Sequence, residues 1–400
     1  MKKRRRVALL IETSNAYARG VTRGIVEFVR HHEPWSIVVQ EQGRGADPPR
    51  WLKGWKGDGM IARIETPEIA QAITRVGCPV VDVSAGRYLK HVPWVETDDR
   101  SVVDLAVEHL LERGFQSLAF CGDAGFNWSV WRQTYFTEIV QQRGARSFVH
   151  ETAARTSPGY SWPRVRAGLK RWLKKLPRPI GVIACYDIRA QQLLDLCREQ
   201  DIGVPEEMAV IGVDNDELLC ELAEPPLTSV ICNTHRTGYL AASLLQRQMD
   251  GEQIGGEATL LKPIGVATRQ STETLAIEDP DIAAALRFIR EHAWQGINVA
   301  DVLRVVPLTR RVLEKRFRRS IGRTPHEEIN RLRIGRVKQL LLETDLTLSE
   351  IATRTGYQHD EYLSVAFKKA VGCPPGRFRR TAGAAERRPE SGDTAERGGG

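Results

Sequence analysis

One pattern occurs twice in this 400-residue chain, in the same register and fifty residues apart. The first copy is VLEKRFRRSIGRTP and the second is YLSVAFKKAVGCPP. Both follow L-x3-F-b-b-x-h-G-x2-P, where b is Arg or Lys and h is Ile or Val. Leu and Phe, four residues apart, form one apolar stripe of a helix, and the basic pair projects to its side. The Gly ends that helix and the Pro keeps the chain from continuing it. The C-terminal part of the chain therefore contains two copies of one helical unit.

A shorter helix is predicted before each copy, and a longer one between them. The short helices cover Asn298–Val306 and Thr347–Gly356, and Thr347 and Glu350 occupy the positions of a capping box. A short helix, a tight turn and a longer basic helix make a helix-turn-helix unit. Between the units, the predicted helix His326–Glu343 would extend about 27 Å. That length suits two recognition helices in successive major grooves of DNA, which lie about 34 Å apart.

The excess positive charge of the chain is confined to the region of the repeat. Residues 1–280 contain 35 basic and 35 acidic residues, whereas residues 281–380 contain 20 and 11. The last twenty residues contain three basic and four acidic ones. A basic block attached to a neutral larger part indicates a binder of polyanions, with double-stranded DNA as the expected partner. The alternative interpretation is a helical bundle whose basic residues face water.

From Arg6 to about Asp279, short apolar runs alternate with longer amphipathic segments. The runs predicted as strands are RVALLI, WSIVVQ, DGMIARI, PVVDVS, SLAFCGD, GVIACYD and AVIGVD. The segments predicted as helices are Tyr17–His31, Ser101–Arg113, Trp131–Arg143, Val165–Leu176, Arg189–Asp201 and Thr237–Asp250. This alternation predicts βαβ units with parallel sheets, and its length favours two α/β lobes with a cleft between them.

The strand pattern stops near residue 280, where EDPDIAAAL begins a purely helical region. Asp281 is predicted to cap the first helix of that region. We predict an α/β two-lobed domain up to about residue 275, followed by an all-α double helix-turn-helix domain at 276–380. Residues 381–400 have few large apolar side chains and are predicted to form a disordered tail.

Several classes of protein are disfavoured by what the sequence lacks. No apolar run approaches the roughly 18 residues of a membrane helix, and Val7–Ile11 is too short for a secretory signal. Seven cysteines without a CxxC motif argue against a disulfide framework and fit a reducing cytoplasm. Cys232 and His235 are too few ligands for a zinc site. No GxSxG, P-loop or GxGxxG motif occurs, so we predict neither an enzyme, nor a cofactor, nor a metal.

Acidic residues fall between a predicted strand and the next helix at four places: Asp98, Asp123, Asp187 and Asp214. In open parallel sheets the C-terminal strand ends line the ligand crevice. Each carboxylate alone is equally suited to cap the following helix. Four of them at successive strand ends favour a polar crevice.

The second copy and its surroundings, GYQHDEYLSVAFKKAVGCPPGRFR, resemble the C-terminal signature of AraC/XylS-type transcription regulators. The resemblance covers about residues 281–380 and implies two helix-turn-helix units joined by a linker helix. It departs at Val365, where many members carry a polar or Arg side chain that contacts a base, and at Pro307, where the first turn often has Gly.

This resemblance also implies which side chains lie at DNA. For the first recognition helix they are Arg310, Arg311, Glu314 and Lys315, with Arg318 and Arg319 nearer the phosphate backbone. For the second they are His359, Asp360, Glu361 and Ser364, with Lys368 and Lys369 nearer the backbone. Because its tip is acidic, the second helix is expected to specify less sequence than the first.

The first 275 residues resemble the LacI-type effector domain, which has a periplasmic-binding-protein-like fold. The stretches that carry the resemblance are TDDRSVVDLAVEHLLERGFQSLAFCGD, IACYDIRAQQLLDLC and VPEEMAVIGVDNDELLCELAEPPLTSV. It implies a sugar site in the cleft with these ligand-binding residues: Asn15, Tyr17, Asp98, Trp128, Trp131, Arg132, Asp187 and Asp214. The alternatives are helix caps for Asp98 and Asp187 and core positions for Tyr17 and Trp131.

A LacI-like sensor followed by an AraC-type domain resembles the xylose-operon-regulator family. That resemblance implies a cytoplasmic, homodimeric, sequence-specific transcription regulator, expected to be an activator controlled by a pentose, D-xylose above all. The expected partners are promoter or operator DNA, the sugar effector and RNA polymerase, with no membrane partner. The alternatives are a regulator that responds to another sugar or small polar ligand, and an architectural DNA-binding protein without a ligand.

Overall fold

The computed structural model of the chain describes residues 4–40, 47–154, 157–273, 277, 279–344 and 346–385. It divides into two compact units, Met1–Ala276 and Ile277–Gly400. The first unit is α/β and the described part of the second is helical. No helix in the described part of the chain has the length and apolar surface needed to cross a bilayer.

The strands of the first unit, in chain order, are β1 (Arg6–Leu10), β2 (Ser36–Val39), β3 (Gly59–Ala62), β4 (Val80–Asp82), β5 (Trp94–Thr97), β6 (Ser117–Asp123), β7 (Arg146–Thr152), β8 (Ile180–Ala184), β9 (Met208–Val213), β10 (Thr228–Ile231), β11 (Ala258–Leu261) and β12 (Gly265–Ala267). They form two six-stranded sheets, ordered β11-β5-β4-β3-β1-β2 and β12-β10-β9-β8-β6-β7. Every pairing is parallel except that of β10 with β12. Each sheet is the centre of one lobe.

The helices of the first unit are α1 (Ala16–His31), α2 (Pro67–Thr74), α3 (Asp99–Leu111), α4 (Asn127–Gln142), α5 (Trp162–Lys175), α6 (Asp187–Glu199), α7 (Glu217–Leu222) and α8 (Thr234–Met249). Strands β1, β3, β6, β8 and β9 are almost entirely buried because helices cover both faces of each sheet. The chain changes lobe after β5, after β10 and again after β11, as the strand orders require.

Three kinds of strand were not predicted from the sequence. β7 is an edge strand whose side chains are mostly exposed, so it lacks a continuous apolar run. β5 is buried but contains Glu96 and Thr97, and these polar residues interrupt the apolar run by which a buried strand is predicted. β10 contains Thr228 and Ser229, and β11 and β12 are edge strands whose side chains are at most partly buried, so none of the three shows a continuous apolar run.

The helices of the second unit are α9 (Pro280–His292), α10 (Val299–Val302), α11 (Arg310–Ile321), α12 (Pro325–Glu343), α13 (Leu348–Arg354), α14 (Asp360–Val371) and α15 (Pro375–Ala385). The predicted capping box of Thr347 and Glu350 is confirmed, since each side chain bonds the backbone N–H of the other. α10 ends at Val302 and not at Val306, and turns complete the segment. α15 covers the first five residues of the predicted tail, whose other residues lie outside those described.

The prediction that Asp281 caps α9 is wrong. The cap is Asp279, whose Oδ1 accepts from the amides of Asp281 and Ile282 over 3.2 and 3.4 Å. Pro280 occupies the first helical position, where its missing N–H costs nothing, and this places the cap at Asp279, two residues before the predicted one. Asp281 instead bonds Arg316 of α11 over 3.0 Å.

Helix α12 belongs to two hydrophobic cores at once. Ile329 and Leu332, in its first half, pack in a cluster that includes Leu313 and Phe317 of α11. Val337 and Leu340, in its second half, pack in a separate cluster with residues of α13 and α14. The linker helix predicted from the sequence therefore fixes both helix-turn-helix units through its own side chains.

Candidate ligand cavity and nucleic-acid interface

A polar cavity lies between the two lobes of the first unit. Its volume is about 400 Å³, including the solvent at its open mouth. The residues that line it come from both lobes: Tyr17, Arg63, Val83, Ser84, Ala85, Glu96, Thr97, Asp99, Trp128, Arg132 and Asp214. They end or follow strands β1, β3, β4, β5, β6 and β9. The cavity therefore lies at the carboxyl ends of parallel strands, where such sheets hold ligands.

The cavity wall of the first lobe is organised around the buried Arg63. Its guanidinium lies 3.0 Å from Glu12 and 2.5 Å from Glu65. Its Cζ lies over the ring of Tyr17, 5.1 Å from the ring centre, and Tyr17 Oη lies 3.3 Å from Thr97 Oγ1. Burial raises the pKa of Tyr17 to about 12, so its hydroxyl keeps its proton at neutral pH and can donate a hydrogen bond.

The wall of the second lobe is organised around a buried ion pair. Arg132 Nε donates to Asp99 Oδ1 over 2.6 Å, and Arg132 Nη1 donates to the carbonyl of Cys185 over 2.7 Å. Burial raises the pKa of Asp99, and the Arg132 guanidinium opposes that rise. The ring of Trp128 is stacked on Phe126, and the Arg132 guanidinium lies over it at 4.8 Å. These contacts hold the Arg132 guanidinium in one orientation at the cavity surface.

Asp214 enters the cavity from a turn with an uncommon backbone. Its φ is +102° and that of Asn215 is +50°, a region that L-residues rarely adopt. Asp187 holds this turn, because its carboxylate accepts from the Asp216 amide over 2.7 Å and from the Ser229 hydroxyl over 2.6 Å. Burial raises the pKa of Asp187 to about 8. Asp187 thus acts on the cavity through the turn that carries Asp214.

One carboxylate oxygen in the cavity wall has no hydrogen-bond partner among the described residues. Glu96 is buried, and its Oε1 is paired with Arg87 from the loop after β4. Its Oε2 is buried and makes no hydrogen bond of ordinary geometry with a described residue, although the buried indole N–H of Trp94 lies near enough to lower the pKa of this carboxyl. Burial raises the pKa of Glu96, which the bond from Arg87 opposes. Because an unpaired buried acceptor is costly, this oxygen favours a ligand that donates a hydrogen bond to it.

Of the predicted ligand-binding residues, Tyr17, Trp128, Arg132 and Asp214 are brought together at the cavity. The other four are engaged elsewhere, and two of them are helix caps. Asn15 Oδ1 accepts from the amide of Ala18 at the start of α1. Asp98 accepts from the amide and the hydroxyl of Ser101 at the start of α3, over 3.2 and 2.6 Å.

Trp131 and Asp187 are the remaining two. Trp131 lies under the guanidinium of Arg87, with 4.2 Å between Cζ and the ring centre, and Asp187 bonds the turn after β9. Asp123, also at a strand end, pairs with the buried Arg189 over 2.9 Å. The carboxylates at successive strand ends thus divide between the cavity, helix caps and internal ion pairs.

Three charged residues of the cavity wall were not predicted: Arg63, Glu96 and Asp99. For Asp99 the sequence carries a usable signal. In TDDRS the first Asp is three residues before Ser101 and caps the helix, so the second Asp begins the helix with its side chain free for another role. Arg63 and Glu96 carry no such signal, since their partners Glu12 and Arg87 are defined only by the folded sheet.

The first recognition helix, α11, presents a strongly basic surface. Its buried stripe is Leu313 and Phe317, both fully inaccessible, as predicted. The exposed cations without an ion pair among the described residues are Arg311, Lys315, Arg318 and Arg319. Arg310 is paired with Glu314 over 3.0 Å. The side chains predicted to lie at DNA are therefore all on the accessible side of α11.

The second recognition helix, α14, presents a different surface on the same framework. Leu363 and Phe367 are fully buried, and His359 precedes the helix as its exposed N-cap residue. Glu361, Lys368 and Lys369 are exposed, while Asp360 and Ser364 are half-buried. Tyr362 and Val365 are 65% and 70% exposed, so the accessible side of α14 includes an aromatic and an apolar side chain.

Three family models match successive parts of the chain: the XylR N-terminal domain at residues 6–100, the periplasmic binding protein-like domain at 107–272 and the helix-turn-helix domain at 302–381. The xylose operon regulatory protein of Escherichia coli (strain K12) is 34% identical over 385 residues, which are 94% of this chain and 97% of that protein. The protein of the same name from Haemophilus influenzae is 32% identical over 383 residues, 94% of this chain and 98% of that protein.

Solved structures agree with these matches. The structure described as xylose-binding transcription activator xylR superposes with a TM-score of 0.82 at 34% identity, over 95% of this chain and 99% of that one. The transcriptional regulator CelR in complex with cellobiose superposes with a TM-score of 0.56 at 23% identity, over 68% of this chain and 86% of that one, and shows likeness of fold alone. The predicted fold class, a two-lobed sensor followed by a double helix-turn-helix domain, is confirmed.

Proposed function

The chain belongs to the family of the xylose operon regulatory proteins, and we propose on that premise that D-xylose, bound between its two lobes, controls its binding to promoter DNA. As a member of that family it is a DNA-binding transcription regulator with a sugar-binding domain. The observation that carries the proposal is Glu96 Oε2, a buried acceptor in the wall of a polar cavity that has no hydrogen-bond partner among the residues that the structure describes. A sugar hydroxyl supplies the missing donor.

The chemistry of the cavity suits a polyol. A pentose offers hydroxyl groups that both donate and accept, and it needs charged partners of both kinds to be held in one orientation. The proposed ligand contacts are Tyr17, Arg63, Glu96, Asp99, Trp128, Arg132 and Asp214. We propose that Asn15, Asp98, Trp131 and Asp187 support the elements that carry these contacts.

The sugar can control DNA binding because it binds the closed form of the two lobes more tightly than the open form. Contacts from both lobes are completed only when the lobes approach each other, so the sugar favours the closed form. The sugar changes the affinity for DNA only to the extent that the DNA-bound and free forms of the protein differ in their affinity for the sugar. By the same linkage, DNA changes the affinity for the sugar by the same factor. We propose that the protein acts in the cytoplasm as a homodimeric activator, with RNA polymerase as its partner at the promoter and residues 1–275 and 276–380 as sensor and DNA-binding domains.

The DNA contacts are proposed from the accessible surfaces of α11 and α14. Arg311 and Lys315 face the major groove, and Arg310 and Glu314 contact it as a pair. The proposed phosphate contacts are Arg318, Arg319, Lys368 and Lys369. His359, Asp360, Glu361 and Ser364 stand at the groove in the second unit, where carboxylates suit the amino group of cytosine.

Calorimetric titration of the full chain tests the sugar. D-xylose is expected to bind and to raise the melting temperature, whereas L-arabinose, D-ribose and D-glucose are expected to bind more weakly. If another of these sugars binds best, the regulator stands and the assignment of xylose is wrong. If none binds, the alternative of a DNA-binding protein without a sugar ligand gains support.

A matched pair of variants tests the cavity. Glu96→Gln removes a charged acceptor and is expected to weaken xylose binding by about 1.5–3 kcal/mol, tenfold or more. Asp98→Asn removes a nearby charge but keeps the helix cap, so it is expected to leave affinity nearly unchanged. Equal losses in the two variants would contradict the proposed set of ligand-binding residues.

DNA selected from a random-sequence library by the full chain identifies the binding site. Its affinity is then measured by fluorescence anisotropy with and without D-xylose. The proposal expects a change of affinity with the sugar, and an unchanged affinity would remove the regulatory link while leaving DNA binding intact.

A further inference from the structure

Helix α5 is strongly basic although it belongs to a part of the chain that is neutral overall. Its 14 residues contain six basic side chains and no acidic one. The six are Arg164, Arg166, Lys170, Arg171, Lys174 and Lys175. Residues 1–280 as a whole contain equal numbers of basic and acidic residues. One face of α5 is buried through Leu169 and Leu173, so the charges lie on the outer side.

Two of the cations of α5 form ion pairs, whereas the three in its last turns do not. Arg166 and Lys170 both pair with Glu199 of α6. Arg171, Lys174 and Lys175 are exposed, and none of them forms an ion pair with a described residue. The helix dipole favours cations in the last turn, but it gives no reason for six cations without a single acidic residue.

The free charges lie at one particular edge of the second sheet. The end of α5 leads into the amino-terminal end of β8, which is parallel to and paired with β6. The chain leaves the first unit at this edge as well. Thr272 is bonded there by His109 Nε2 over 2.8 Å and by Arg113 Nε over 2.9 Å, and these two residues lie at the carboxyl end of α3 and in the turn that leads from it to β6. The ligand cavity lies at the opposite, carboxyl edge.

We propose that the last turns of α5, through Arg171, Lys174 and Lys175, bind the phosphate backbone of DNA that flanks the site recognised by α11 and α14. This inference rests on the proposed function, since it needs the chain on DNA. Charge complementarity selects the occupant, because a row of unpaired cations neutralises phosphates and releases counterions without regard to base sequence. The interaction adds affinity and salt dependence, and no specificity.

The test uses the full chain and two DNA duplexes. One contains only the site selected from the random library, and the other adds about 20 base pairs on each side, roughly two helical turns. The wild type is expected to bind the longer duplex more tightly and with a steeper dependence on salt. Lys174→Gln/Lys175→Gln is expected to reduce the salt slope on the longer duplex by about 2, one unit for each phosphate that is no longer neutralised. The ratio of wild-type to variant affinity then falls about tenfold between about 50 and 200 mM salt.

A second double variant is the control. Arg100→Gln/Arg143→Gln removes two exposed cations of the same lobe that are already paired, with Glu138 and Asp104. It is expected to leave the slope on both duplexes unchanged, and melting temperatures check that both variants fold.

Three outcomes overturn the inference without touching the proposed function. They are equal wild-type affinity for the two duplexes, equal responses of the two double variants, and a loss of transcription with RNA polymerase while both DNA affinities stay unchanged. The last would identify a protein as the occupant of α5. Failure of the wild type to enrich any sequence from the random library would instead refute the proposed function.

Discussion

The two helix-turn-helix units share a buried framework and differ in the surface above it. Leu313 and Phe317 in α11 and their counterparts Leu363 and Phe367 in α14 are all fully inaccessible. Both helices end on a glycine in the left-handed conformation, with φ of +75° and +85°. Packing tolerates few changes, so a repeated unit keeps its interior while its exterior diverges.

The divergence is largest at the positions predicted to face DNA. Arg311 in the first copy corresponds to Glu361 in the second, and Lys315 corresponds to Val365. The two cations of the first copy are thus replaced in the second copy by a carboxylate and an exposed apolar side chain. We therefore expect the first unit to supply more of the electrostatic affinity for DNA than the second.

The largest expected effect tests whether the frameworks are equivalent. Phe317→Ala and Phe367→Ala each leave a cavity in a fully buried position, and each is expected to cost about 3–5 kcal/mol. Urea unfolding followed by circular dichroism measures the loss. Val312→Ala and Tyr362→Ala are the controls, because these corresponding residues are exposed on the same helices. A loss of under about 1 kcal/mol for only one Phe would mean that its core can collapse around the gap.

The next effect tests whether the surfaces are unequal. Arg311→Ala/Lys315→Ala is expected to weaken binding to the selected DNA by about 1–3 kcal/mol for each of the two side chains that is truncated. Glu361→Ala/Val365→Ala is expected to change affinity less and to relax base preference at one half of the site. Fluorescence anisotropy at several salt concentrations separates the two results.

The reciprocal exchange sharpens this comparison. Glu361→Arg/Val365→Lys gives the second helix the charges of the first and is expected to strengthen binding and to steepen the salt slope by about 2. Equal losses in the two alanine variants, or no gain from the exchange, would show that the two surfaces contribute alike.

Much of the second unit was predictable because its signals are local. A buried Leu and Phe, a glycine stop and a capping box lie within a few residues of each other, and each has one structural outcome. Charge was the less reliable guide. Arg316 bonds Asp279 and Asp281, and Arg333 donates to the carbonyls of Ala293 and Ile297, so part of the basic surplus holds the unit together.

The residues of the ligand cavity were only partly predictable, because many of their contacts join residues that are far apart in the sequence. Tyr17 and Asp214 follow strands that the apolar pattern reveals. The Arg132–Asp99 pair joins residues 33 positions apart, and Arg63 meets Glu12 only because β1 and β3 are neighbours. No local period encodes such pairs. The prediction of Asp98 in place of Asp99 overlooked a local signal, because Asp98 caps α3 and leaves the side chain of Asp99 free for the cavity.

Smaller effects are expected from the caps of the first helices in the two units. Asn298 caps α10 and Thr347 caps α13, each in a capping box. Asn298→Ala and Thr347→Ala are each expected to destabilise the second unit by about 1 kcal/mol. Replacement of either residue by Ser keeps the cap and is expected to restore most of that loss in urea unfolding. A clear difference between the two sites would show that one unit depends less on its first helix.

The smallest effect concerns the helix that joins the two units. Gly335 lies exposed in the middle of α12, with open space around the position of a Cβ, and its φ is in the ordinary range. Gly335→Ala is therefore expected to stabilise the chain by about 0.5–1 kcal/mol. Gly322→Ala, at φ +75°, is the contrast and is expected to cost about 1 kcal/mol or more. The affinity of the Gly335→Ala variant for the selected DNA shows whether α12 has to bend at this glycine. If α12 acts as a rigid spacer, the stabilised variant binds as tightly as the wild type. If both recognition helices reach their grooves only when α12 bends at Gly335, the variant binds more weakly although it is more stable.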